Sequence, residues 1–191
     1  MKTIKIFLAS SNELKQEREK FEIEISRKNK LWSEKGASLH LDIWEDLSAR
    51  MSSTRSQDVY NEKIRETDLF VLLAFSKVGM YTDEEFETAF GSFMATKKPF
   101  IFTYFKDIKS EKEDSLDIFK NKLKNLGHFY ASYSNFDNLW NQFNKELDRL
   151  LLDDFMTNNQ NKKNETIVIN NEGANIKHQF IGGNFNNTTF N

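Results

Sequence analysis

The sequence predicts an α/β protein: a flavodoxin-like, five-stranded parallel sheet in the order 2-1-3-4-5, with a short C-terminal tail. Three observations carry this expectation. Short apolar runs alternate five times with longer stretches of helical period. The third run, residues 69–74 (LFVLLA), is apolar without alternation, as in a central parallel strand covered on both faces. The single proline, Pro99, leaves long helices unbroken.

Residues 3–9 (TIKIFLA) form the first strand. Ser10 and Glu13 match a capping box, so a helix opens there, with Leu14, Phe21 and Ile25 recurring at helical spacing to about Asn29. Gly36 lies in the next turn, and residues 38–44 (SLHLDIW) are the second strand. Residues 47–55 are polar and non-periodic and read as a loop over the strand ends. A helix over 56–66 turns Val59, Tyr60 and Ile64 inward, and the third strand follows. A loop then carries Gly79 and Tyr81, and a helix from Thr82 to about Thr96 buries Phe86, Ala89, Phe90 and Phe93.

Residues 99–104 (PFIFTY) are the fourth strand, 106–114 a charged loop, 116–126 a helix and 128–131 a short fifth strand. Phe136, Leu139, Trp140, Phe143, Leu147, Leu150 and Leu151 then trace the cleanest amphipathic helix of the chain. The composition changes at Thr157. The expected organisation is a domain over 1–156, a polar linker over 157–165 and an Asn/Gly-rich, β-prone tail over 166–191. That tail is too short for its own core and suits β-pairing with itself or a partner.

Composition narrows the chemistry. A net charge of −2 supplies no basic field, so no nucleic-acid partner is expected. No apolar run approaches the roughly 20 residues that cross a bilayer, and no signal-peptide core is present, so a cytoplasmic location without a membrane partner is expected. The absence of cysteine excludes disulfides, thiolate catalysis and thiolate-bound metals. His40, His128 and His178 form no metal-binding pair, and no metal is expected.

In the expected strand order, a crevice opens between the C-terminal ends of strands one and three. Residues 10–12 and 76–81 border it, beside the acidic run Asp83, Glu84, Glu85 and Glu87. A carboxylate fixed there suits cleavage of an N-ribosyl bond, because positive charge develops on the ribose as the base departs. No metal is needed when the leaving base is already cationic, as the nicotinamide of NAD is. Tyr81, four residues before Glu85, is placed to stack on a base, and Ser10 and Ser11 open a helix that can receive a phosphate. Blander readings stand beside these. Thr82 and Glu85 equally match a capping box, Ser10 and Ser11 a plain cap, and Trp44 either a buried wedge or a stacking platform. Glu84 and Glu87 remain alternative candidates.

The element order and several motifs resemble Toll/interleukin-1 receptor (TIR) domains, bacterial TIR-like effectors in particular, over about residues 1–152. The motifs are KIFLASSNEL with Glu17–Arg18, WEDL from Trp44, RSQDVYNEKI from Arg55, DLFVLL from Asp68 and YTDEEFETAF from Tyr81. In enzymatic TIR domains an aromatic residue stands four before the catalytic glutamate and a small residue four after it. Tyr81, Glu85 and Ala89 match that frame, and Glu87 does not. Two departures concern the nucleotide contacts: Tyr81 stands where tryptophan is common, and the arginine often found just after the first strand is missing. The resemblance implies an NAD+ glycohydrolase that releases nicotinamide and gives linear or cyclic ADP-ribose. It implies Glu85 as the catalytic residue, nucleotide contacts from Ser10, Ser11, Trp44 and Tyr81, and no cofactor beyond the substrate NAD. It further implies activation by self-association through the domain, with the 47–55 loop taking part, and a role as an antiphage or toxin-like effector. Two alternatives follow from the same frame: a non-enzymatic TIR scaffold, and a nucleoside or nucleotide N-glycosidase related to deoxyribosyltransferases.

Overall fold

A computed structural model describes residues 2–43, 56–109 and 111–151. Contacts divide the chain into units 1–149 and 150–191, and the first holds the fold. The linker over 157–165, the tail over 166–191, Trp44 and the 47–55 loop all lie outside the described residues.

The strands are β1 (Lys2–Ser10), β2 (Ala37–Asp42), β3 (Leu69–Ala74), β4 (Phe100–Lys106) and β5 (Ala131–Tyr133). They form one parallel sheet in the order β2-β1-β3-β4-β5, the flavodoxin-like arrangement. The helices are α1 (Lys15–Glu34), α2 (Ser56–Arg65), α3 (Met80–Thr96), α4 (Asp114–Asn125) and α5 (Phe136–Leu150). Every residue of β3 is buried, which explains its unbroken apolar run: helices cover both faces. On one face Phe21 of α1 meets Trp140 and Phe143 of α5. On the other, Ile64, Phe86, Ala89, Phe119 and Leu123 from α2, α3 and α4 close over Phe70 and Leu72. Phe86 meets Phe119 edge-on at 5.1 Å between centroids, and Phe7 stacks on Phe70 at 5.9 Å.

Several boundaries differ from the sequence expectation, each for a local reason. The Ser10–Glu13 capping box does not form. A single 3-10 turn, Asn12–Leu14, precedes α1, and no side chain caps it, because the Glu13 carboxylate bonds Ser76 and Ser11 instead. Helix α1 runs on to Glu34, past Asn29, because Trp32 supplies one more buried turn. Strand β5 begins three residues later than expected, with Ala131 opposite Tyr104. The aromatic run before it is not strand. His128 turns in to hydrogen-bond Thr103 Oγ1 at 3.1 Å, Phe129 is exposed, and Tyr130 packs edge-on against Phe105. In α3, Phe86 and Ala89 are fully buried as expected, while Phe90 and Phe93 are only partly so.

Candidate active site

Strand order sets the site. β1 and β3 are neighbours, but their chains leave toward opposite layers, α1 on one face and α3 on the other. Ser10 pairs with Leu73, so both strands end level and the loops after them part. A cleft of about 740 Å³ opens there, lined by the end of β1, the loop to Glu13, Gln57 and Tyr60 of α2, and Tyr81, Thr82 and Glu85 of α3. Phe7 meets Tyr60 edge-on at 6.2 Å, tying one wall to the sheet.

Helix α3 opens at Met80, two residues earlier than the sequence suggested, with Gly79 as its N-cap and no side chain capping it. Thr82 is therefore a buried residue inside the first turn, and the Thr82–Glu85 capping box is absent. Tyr81 also lies on the helix rather than in the loop, one turn before Glu85, on the cleft lining and 57% exposed.

The acidic run divides by partner. Asp83 and Glu87 both accept from Lys122 of α4, Asp83 at 2.5 Å. Glu84 accepts from Asn61 Nδ2 of α2 at 3.0 Å. Glu85 faces the cleft and is 7% exposed. Burial pushes its carboxyl up to about 7 from an ordinary 4.5. The neighbouring Gln57 amide pulls against that rise, and the charge of Glu84 adds to it.

The opposite rim is already bonded. Arg18, fully buried, donates from Nη1 to Ser10 Oγ at 2.7 Å and to the Ser11 carbonyl at 2.8 Å. Ser11 Oγ donates to Glu13 at 3.0 Å, and Glu13 takes both the N–H and the hydroxyl of Ser76, at 3.0 and 2.5 Å. The carboxylate thus clasps the β1 loop to the β3 loop. Burial raises the Glu13 pKa, but the bonds from Ser76 and Ser11 outweigh it and hold the group below its ordinary value. The buried Arg18 cation and the Glu13 carboxylate set opposite charges on this rim, and a phosphate at Ser11 Oγ would have to displace Glu13. Lys77, next to the Ser76 that Glu13 holds, lines the cleft and pairs with Glu113 at 3.3 Å, and the start of α3 carries no side-chain cap.

Of the residues expected at the site, Ser10, Ser11, Tyr81 and Glu85 come together on one cleft, and Trp44 lies outside the described residues. Gln57, Tyr60, Glu13 and Lys77 are additional lining residues that the sequence reading did not select. A signal for Gln57 existed. It shares the inward face of α2 with Asn61 and Ile64, and two amides on an otherwise apolar stripe need partners.

No family model matches this chain, and no curated protein matches it. Among solved structures it is similar to a conserved protein from Enterococcus faecalis V583. The TM-score is 0.43 and the identity 14%, over 75% of this chain and 99% of that one, a likeness too slight to argue from. Function rests on the cleft itself.

A second cleft, of about 730 Å³, is lined by residues of α4 and the segment leading to β5. Its one carboxylate, Asp117, is exposed, and Lys120 and Lys124 share its wall. It lacks the desolvated acid that sets the first cleft apart. No described helix is long and apolar enough to cross a membrane. Among the described residues, no group of three or more acidic or histidine side chains is placed to hold a metal.

Proposed function

We propose that the cleft hydrolyses the nicotinamide–ribose bond of NAD+. The C1′–N bond breaks, its electron pair leaves with neutral nicotinamide, and water adds to C1′ with loss of a proton, giving ADP-ribose. Glu85 in its anionic form faces the ribose and stabilises the cation that develops there. Tyr81 stacks on the departing ring at the exposed edge. The diphosphate lies toward the start of α3, whose first N–H groups no side chain caps.

One observation carries this reading. Among the acidic residues at the start of α3, Glu85 is the one that is buried and lines the cleft rather than bonding a cation or Asn61. A desolvated carboxylate in a cleft is a candidate for chemistry, since burial without a function is destabilising. The resemblance to TIR effectors supports NAD+ as the nucleotide and assembly as the switch, with the tail over 166–191 as a recruiting or nucleating segment.

The deciding experiment follows nicotinamide release against protein concentration for the parent and Glu85→Gln. The expected result is a rate per chain that rises with concentration, and a loss of about 100-fold or more in the variant, on the scale of removing one electrostatic stabiliser. If no concentrated or assembled state consumes NAD+, the chain is a scaffold. Release of bases from other nucleotides, with NAD+ untouched, would make it an N-glycosidase of a different substrate.

A further inference from the structure

Gln57 is the least explained polar residue of the cleft. It sits in the first turn of α2, is 6% exposed, and lines the same cleft as Glu85. Its Nε2 has no hydrogen-bond partner among the described residues. The amide lies near enough to Glu85 to favour the charged carboxylate, yet makes no bond of good geometry to it. Buried amide donors are nearly always satisfied, so an unpaired one on a cleft wall calls for a ligand.

The position is held firmly. One turn further along α2, Asn61 Nδ2 donates to Glu84 Oε1 at 3.0 Å. Thr88 Oγ1 of α3 donates to Asn61 Oδ1 at 3.2 Å. This bracket ties α2 to α3 one turn away from Gln57 and Glu85.

We propose that Gln57 is a substrate-contacting group: its Nε2–H donates to the ribose 2′-hydroxyl oxygen beside the Glu85 carboxylate, and this makes the site select ribonucleotides over 2′-deoxyribonucleotides. The inference rests on the ribosyl-cleaving reading of the same cleft. Its logic is complementarity. An ionised carboxylate only accepts, and the free end of the amide donates. The small group that satisfies both at once gives a proton and receives one, which describes a hydroxyl. A 2′-deoxy sugar leaves the two protein groups without that shared partner, facing each other in poor geometry, which corresponds to roughly 10- to 100-fold in discrimination.

The test compares kcat/KM for NAD+ and for NAD+ lacking the 2′-hydroxyl of the nicotinamide ribose, in the full chain and in Gln57→Met. Methionine keeps the length and loses the donor. Gln57→Ala serves if the methionine variant does not fold, as judged by its unfolding midpoint. The ratio of the two substrates in the variant removes any intrinsic difference in their reactivity. The expected result is a loss of roughly 10- to 100-fold on NAD+ with little change on the deoxy substrate, so that the preference collapses. An equal loss on both substrates, or no change on either, overturns the proposal, because a merely structural role moves both together. If no protein hydrolyses either substrate, the hydrolase reading falls and calorimetric binding of the same two compounds decides. A preference for NAD+ that Gln57→Met abolishes sustains the contact without the chemistry; equal binding, or none, removes it.

Discussion

Replacing Glu85 by Gln should stabilise the fold at alkaline pH and do much less in acid. The unfolded carboxyl titrates at 4.5 and the folded one at about 7. Between those values the native protein keeps a proton that the unfolded chain has already released. Native stability therefore falls as pH rises, by about 1.4 kcal/mol per pH unit, because the unfolded state binds fewer protons. Across the window the loss sums to about 3 kcal/mol and is complete above pH 7. Glutamine has nearly the same shape and cannot ionise. The stability gap between Glu85→Gln and the parent should be steady below pH 4.5, widen through neutrality, and level off near pH 8 about 3 kcal/mol further in favour of the variant. Urea unfolding of both proteins at pH 4.5, 6, 7 and 8, at one ionic strength, measures it. Other titrating groups, such as Glu13 and His128, occur in both proteins and cancel in the difference. A gap that stays flat with pH, or narrows as pH rises, would refute the reasoning, since it would mean that burial does not govern this carboxyl.

Four further outcomes are expected. If anionic Glu85 is the working form, kcat/KM for NAD+ rises from acid to a plateau with a midpoint near pH 7, while the midpoint in kcat lies lower because a bound cation favours the anion; a rate that falls through neutrality contradicts this. Glu13→Ala unclasps the two loops and destabilises by about 1 to 2 kcal/mol at pH 7. The Glu13 pKa is lowered in the fold, so this loss is present above the unfolded value of 4.5 and shrinks as pH falls through the folded one, which denaturant titration at pH 7 and pH 3 checks. Asn61→Ala removes the bracket between α2 and α3 and lowers stability by about 1 to 2 kcal/mol, read from the urea midpoint. Deletion of residues 158–191 is expected to reduce particle size in light scattering and the concentration dependence of NAD+ consumption, while circular dichroism of the remaining domain is unchanged.

The sheet was legible because its signals are local and strong. An all-apolar third strand and five alternations leave few topologies, and the observed order is the common one at this size. What escaped was decided between elements. Glu13 reads as half of a capping box, but Ser76 lies 63 residues away in sequence and offers two donors, so tertiary bonding displaces the local motif. Thr82 likewise reads as a cap because Thr-x-x-Glu is a cap pattern, yet the chain starts its helix at Gly79 and buries Thr82 instead. The residues around His128 have strand-forming composition, but His128 finds Thr103 and Phe86, and pairing begins only at Ala131. At the site, the expectation for Glu85 came from the frame it shares with Tyr81 and Ala89 in the resemblance to TIR domains. The partners that distinguish it from Asp83, Glu84 and Glu87 sit on α2 and α4, and no spacing within one helix reveals them.

That sorting has a mechanistic consequence. The carboxylates of Asp83 and Glu87 face Lys122 and would lose that charge-assisted bonding if they turned to a substrate. Glu84 holds two helices together. Glu85 is different: burial raises its pKa to about 7, and taking up a proton lessens the cost of holding a full charge at this desolvated position. A ligand that brings positive charge and a hydroxyl reverses the balance, because it supplies the partner that burial withholds and draws the proton off. On the proposed reading the carboxylate is then anionic in the substrate complex, in surroundings that screen the charge poorly. A neutral ligand offers no such compensation. On the proposed reading, desolvation at this position therefore favours a substrate with a cationic leaving group over a neutral nucleoside.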